Sequence, residues 1–232
     1  MSIDITERKR DEERQEFLLK LNDALRPLSD PIEIQQAAMR VVGEHLKVDC
    51  VQYGEIDNET MIIADSYARG GFPKLSGEFP MRRFSNAVKI LQRGETLVVE
   101  DIRNQSGYSE AELASFAALK IVSIVCIPFV KAGHWLAAFA IHHGSPRQWR
   151  PDEIAILQEA AERIWAAIER ARAEERLRRS LDELTRFNSL VVGRELRMIE
   201  LKKEVNDLSR RLDGEQRYPL EFELPKDGDE HQ

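Results

Sequence analysis

No run of about 18 apolar residues occurs in the chain, which excludes a membrane-spanning helix. The first residues, MSIDITERKRDEERQEF, are charged and not apolar, so no secretory signal is expected and a cytoplasmic location is. Basic residues are not in excess. The net charge is -7 and the pI is near 5.4, with no dominant basic face, so nucleic acid is not an expected partner. Cysteine is scarce. Cys50 and Cys126 sit in the apolar runs VDCV and IVCI, match no zinc spacing and read as reduced core thiols. Catalytic signatures are missing as well: there is no Gly-x-Ser-x-Gly elbow, no P-loop, no His-Glu-x-x-His and no Gly-rich dinucleotide loop. No enzymatic activity is therefore expected.

A length of 232 residues suits one domain of about 150 residues plus additional helix. Hydrophobic residues, at 42%, suffice for one core, and the 32% of charged residues exceeds the usual share of about 25%. That excess lies at the two ends, in MSIDITERKRDEERQEF and from Glu162 onward, as in solvated helices.

Phe17, Leu18, Leu21 and Leu25 recur at helical spacing and predict a helix over 7–26, ended by Pro27. Asp30-Pro31 starts a second helix, with Asp30 as N-cap. CVQYGEID (50–57) and TMIIADSYA (60–68) read as a hairpin around Asp57-Asn58, followed by the Gly/Pro-rich loop ARGGFPKLSGEFP. A short helix over 85–93, a strand over 96–99 and a helix over 110–118 come next, the last announced by the capping box Ser109…Glu112. IVSIVCIPFV (121–130) and HWLAAFAIH (134–142) form a second hairpin across Lys131-Ala132-Gly133. The fold class is α+β: an antiparallel sheet with helices on both sides. The terminal helices would cover one face and the segment 69–118 the other.

From Pro151 a helix runs to about Leu212, with no proline and only Gly193 as a weak point, costing about 1 kcal/mol relative to Ala. Ile154, Leu157, Ala161, Ile164, Ile168 and Ala171 alternate at intervals of three and four. After a charged stretch the phase resets. Leu177, Leu184, Val191, Met198, Val205 and Leu212 form a sevenfold repeat. Its companion positions shift from Leu181 and Asn188 to Leu201 and Leu208 across Gly193-Arg194-Glu195. A seam this long is expected to meet its copy in a homodimeric parallel coiled coil, and two nearly equal registers allow small rotations to bias it. Asn188 either fixes register or is a tolerated polar residue. The organisation expected is 1–29 helix, 30–170 sensory domain, 171–212 coiled-coil helix and 213–232 flexible tail, which holds the apolar patch RYPLEFEL.

Asp101-Ile102, the Ser123 to Pro128 strand, the apolar strand ending in His142-His143, and PRQW before an acidic helix start are familiar together. Over residues 31–170 the chain resembles the GAF domains of bacterial signal-transduction proteins, notably those of sensor histidine kinases and phytochrome-type receptors. LTRFNSLVVGRELRMIELKKEVNDL resembles a helical segment that follows PAS or GAF domains in bacterial sensors. The resemblance implies a two-component-type sensor that relays a signal along a two-helix stalk to a separate kinase or effector. No phosphoacceptor box and no ATP lid is present. Arg103 stands where a proline usually follows the Asp-Ile pair, and the Cys-His pair that holds a bilin is missing, so covalent bilin is not expected. No cyclic-nucleotide signature occurs, and no particular cofactor is implied.

In such a fold a small-molecule ligand lies between the sheet and its loop-rich cover. The implied cover residues are Phe84, Val88, Ile102, Arg103, Tyr108 and Phe116, and the implied sheet residues are Tyr53, Tyr67, Ser123 and His142. His142 and His143 are adjacent on a strand and cannot share one site. Arg82-Arg83 would meet an anionic group or solvent, and Asp101 would orient a ligand or Arg103, or cap its turn. Two alternatives stand beside the sensor: a structural dimerisation adaptor with a filled cavity, and a reductase of the free methionine sulfoxide type, which needs several reactive cysteines.

Overall fold

The computed structural model describes residues 2–212, 214, 217 and 218, with side chains from residue 8 onward. The tail expected over 213–232, RYPLEFEL included, lies outside the described residues except for those three. Two compact units are present, Met1–Ala173 and Glu174–Gln232.

The elements of the first unit are α1 (Ser2–Leu25), α2 (Pro31–Leu46), β1 (Cys50–Asp57), β2 (Thr60–Ile63), β3 (Ser66–Ala68), β4 (Gly77–Pro80), α3 (Ser85–Gln92), β5 (Leu97–Val99), α4 (Glu110–Ala118), β6 (Ser123–Lys131), β7 (His134–His143) and the first turns of α5 (Pro151–Leu212). The sheet is antiparallel, in the order β4-β2-β1-β7-β6-β5, with β3 also on β1. Local chemistry explains the boundaries. Asp30 accepts from the N–H groups of Ile32 and Glu33, and Ser109 and Glu112 form both halves of the capping box. Ala132 (φ 50°) and Gly133 (φ 78°) supply the left-handed pair that a two-residue hairpin turn needs.

Two expectations are corrected. The strand over 60–68 is two strands. β2 pairs with Glu55–Asp57 and β3 with Cys50–Gln52, and the chain breaks between them where the Asp65 carboxylate takes the N–H of Ser66. The loop after residue 68 contains β4, an edge strand paired with β2. Its Gly and Pro residues look like loop punctuation, yet proline is tolerated at an edge.

Strand alternation divides the core in two. Along β7, Ala137, Phe139 and Ile141 face α1, α2 and α5, with Leu21, Ile34, Val42, Leu157, Ile164 and Ile168 fully buried against them. Ala138 and Ala140 face the other way, under α3, α4 and the segments between. Because β6 is apolar at every inner position, both faces must be covered, and they are.

In the second unit α5 continues to Leu212 through Gly193. Leu177, Leu181, Leu184, Asn188, Met198, Leu201, Val205, Leu208 and Leu212 are exposed and Val191 is half-buried. The Asn206 side chain accepts from the N–H groups of Arg217 and Tyr218 and donates to the Tyr218 carbonyl.

Candidate functional site

A cavity of about 70 Å³ lies between the sheet, its edge strand β4 included, and the cover formed by α3 and α4. By the measure in which one water needs about 10–15 Å³, it has room for several. Its walls are apolar and partly aromatic: Phe79, Phe84, Phe116 and Trp135 with aliphatic side chains between. Phe84 and Phe116 are tilted against each other at 4.8 Å, and Tyr108 meets the Phe116 ring edge-on at 5.8 Å.

Two polar side chains face this cavity from neighbouring strands. Gln52 on β1 pairs in register with Ala140, and His142 on β7 pairs with Cys50. Gln52 and His142 are thus diagonal neighbours on one face, about 7–8 Å apart at the backbone. His142 is 2% exposed, and neither of its ring nitrogens has a hydrogen-bond partner. The Gln52 carbonyl oxygen is also unpartnered, while its NH2 reaches only the Met61 sulfur at 4.0 Å. Burial pushes the His142 imidazole down to about pKa 3, so the ring is neutral at pH 7, with one N–H and one lone pair. Among the described residues, the lining contains no Asp, Glu, Lys or Arg.

Of the residues expected at a ligand site, Phe84, Val88, Phe116 and His142 line the cavity. Ile102 and Tyr108 pack in the same core, behind the wall. Tyr53, Tyr67, Ser123 and Arg103 do not line it, and the reason is parity for the first three. Tyr53 points to the helix side, tilted on Phe129, which stacks on Trp165 at 4.8 Å. Tyr67 lies over α2, where a Cβ on Gly43 would come within 2.3 Å of its ring. Ser123 donates to the Val99 carbonyl and accepts from the Trp149 indole N–H at 2.8 Å. Ser123 and the PRQW tryptophan therefore tie the start of α5 to the sheet, and Arg147 completes this anchor by lying over the Trp149 ring at 4.6 Å and pairing with Glu153 at 3.0 Å. The Ser123→Ala variant should lose about 1–3 kcal/mol in a urea titration, because it strands a buried indole N–H and a carbonyl.

Arg103 is exposed and forks onto Asp101 through two 2.8 Å contacts, while Asp101 also caps the Arg103 N–H. Arg82 and Arg83 are exposed. His143 turns away from the cavity, with its Nδ1 at 2.8 Å from Asp49. Gln52 was missed by sequence reasoning, although a lone amide at the inward parity of an apolar strand is a visible signal. Trp135 and Phe79 were missed because their strands meet the cavity only through tertiary pairing.

Cys126 lines the cavity and Cys50 belongs to the same core. Burial pushes both thiols up to about 12, so neither supplies a thiolate at neutral pH. A disulfide-exchange reagent such as Ellman's should leave both unmodified in the native protein over minutes and titrate both in urea.

Residues 30–168 match the model of the GAF domain, and the chain belongs to the GAF domain family. Among solved structures it is similar to the blue-light absorbing form of the PixJ GAF domain of Thermosynechococcus elongatus, with 23% identity over 66% of this chain and 94% of that one and a TM-score of 0.56. It is also similar to the phycoerythrobilin-bound GAF domain of a cyanobacterial phytochrome, with 14% identity, coverage of 72% and 97%, and a TM-score of 0.56. The free methionine-R-sulfoxide reductase of Neisseria meningitidis, solved with its substrate, shares 16% identity, with coverage of 69% and 91% and a TM-score of 0.56. No curated protein matches the sequence. The family supports a sensory role, and no helix of the described residues is long and apolar enough to cross a membrane.

Proposed function

We infer that this chain is a non-catalytic sensory protein in which a small molecule held in the cavity biases a homodimeric helical stalk, and the stalk acts on a separate kinase or other effector. The observation that carries the reading is the pair Gln52 and His142. The Gln52 carbonyl oxygen and both His142 ring nitrogens are buried without partners, which is costly in a folded domain unless something else satisfies them. A purely structural adaptor has no need of them.

The relay is supported by α5. Its turns at Leu157, Ile164 and Ile168 are part of the domain core, and its later turns carry the exposed apolar stripe. Relatives in fold hold bilins, but a tetrapyrrole is larger than this cavity. Ligand pockets for molecules of that scale run to about 300–1,000 Å³, against about 70 Å³ here. The lining offers no cation for acidic side chains and its one cysteine is a buried thiol, so this chain is not read as a bilin protein.

The test fills the cavity by substitution. Ala140 lines it and carries a side chain that can grow. In Ala140→Leu, hydrogen exchange is expected to change both around the cavity and across residues 174–212 of the stalk. A change confined to residues before 174 would overturn the relay.

A further inference from the structure

The cavity's chemistry narrows what it takes, and this step rests on the reading of the cavity as a sensory site. We propose that the ligand is a small neutral aromatic alcohol of the phenol class, its ring among Phe84, Phe116 and Trp135 and its hydroxyl between Gln52 and His142.

Charge is the first filter. The lining has no side chain to pair with a carboxylate, phosphate or ammonium group, and an unpaired ion in an apolar cavity is strongly disfavoured. The imidazole does not help an anion, since burial keeps it neutral at pH 7. Hydrogen bonding is the second filter. The Gln52 carbonyl oxygen needs a donor, and the neutral imidazole presents an N–H that needs an acceptor. One hydroxyl meets both needs, donating its proton to Gln52 Oε1 and accepting from His142. Gln52 and His142 are diagonal neighbours on one sheet face and both line the cavity, so a single hydroxyl placed between them is within reach of both side chains. A carbonyl-only or hydrocarbon ligand leaves Gln52 unsatisfied. Shape is the third filter. The available space of about 70 Å³ suits about five to seven non-hydrogen atoms, the size of phenol itself, and ring walls favour an aromatic guest in offset or edge contact.

The experiment titrates the full chain with four probes, phenol, benzene, cyclohexanol and benzoate, followed by calorimetry or by tryptophan fluorescence, with Trp135 in the wall. Phenol is expected to bind at least tenfold more tightly than benzene and than cyclohexanol, and benzoate not to bind. His142→Leu and Gln52→Leu should each bind phenol and benzene within about threefold of one another, which a merely structural role for these residues does not predict. Two variants at different strands guard against one failing to fold. Equal affinity for benzene and phenol in the unaltered protein, preference for the saturated alcohol, or binding of benzoate overturns the phenol assignment while leaving the cavity as a site. No binding by any probe also overturns it. The sensory reading itself falls only if Ala140→Leu leaves exchange over 174–212 unchanged.

Discussion

Between pH 7 and pH 5 the buried His142 is expected to cost the protein about 2 kcal/mol of stability, a loss that the His142→Leu variant does not share. The buried imidazole has its folded pKa depressed to about 3, below the ordinary value of 6.5. The unfolded chain therefore takes up a proton first as the pH falls. Stability from the neutral ring is complete above about pH 6.5 and is lost progressively towards pH 3. The slope is about 1.4 kcal/mol per pH unit, so the whole loss approaches roughly 5 kcal/mol, a large part of a typical domain's 5–15 kcal/mol. At pH 7 the variant should be more stable than the parent by about 1–3 kcal/mol, since leucine removes two unpartnered ring nitrogens from an apolar wall. His45 is also shifted down by burial, but it stacks on Phe17 at 4.1 Å on the helix side and is unchanged in the variant. The difference between the two urea titrations thus isolates His142. Parallel pH dependence in parent and variant would contradict the account.

Joint replacement of Leu184 and Leu201 by glutamate is expected to weaken self-association by at least a thousandfold while leaving the domain's melting temperature within about 2 °C. The two leucines are 56% and 45% exposed in the single chain, so neither contributes to the domain core. In a two-fold seam each substitution places two carboxylates face to face and removes two buried side chains, each worth about 1.5–3 kcal/mol. Light scattering after size exclusion at micromolar concentration reads the outcome. A variant that still runs as the parent does would show that the stripe is not the seam.

Much of the fold was legible because its punctuation is local. Asp30-Pro31, Ser109 with Glu112, and Ala132-Gly133 each fix an element's end by contacts within four residues, and the helix over 151–212 declares itself by periodicity. Strand β4 was not legible, because only pairing with β2 makes a strand of GEFP. The site was partly legible. Phe84, Val88, Phe116 and His142 follow from placing the cover over the sheet. Tyr53 and Ser123 face the helices and not the cavity, because strands buried on both sides are nearly all apolar and a single polar residue such as Gln52 is all that marks the cavity parity of β1. Tyr67 lies on the same helix-facing parity, its ring packed close to Gly43 of α2.

The proposed stalk carries the account, and its proposed pairing with a second copy is open to one direct measurement. In a Leu184→Cys variant of the full chain, a parallel in-register seam sets each introduced thiol opposite its twin, while Cys50 and Cys126 are buried and take no part. Mild oxidation should then yield a covalent species of twice the 26.7 kDa chain mass in most of the protein. A product that stays at the single-chain mass would contradict a parallel homodimer.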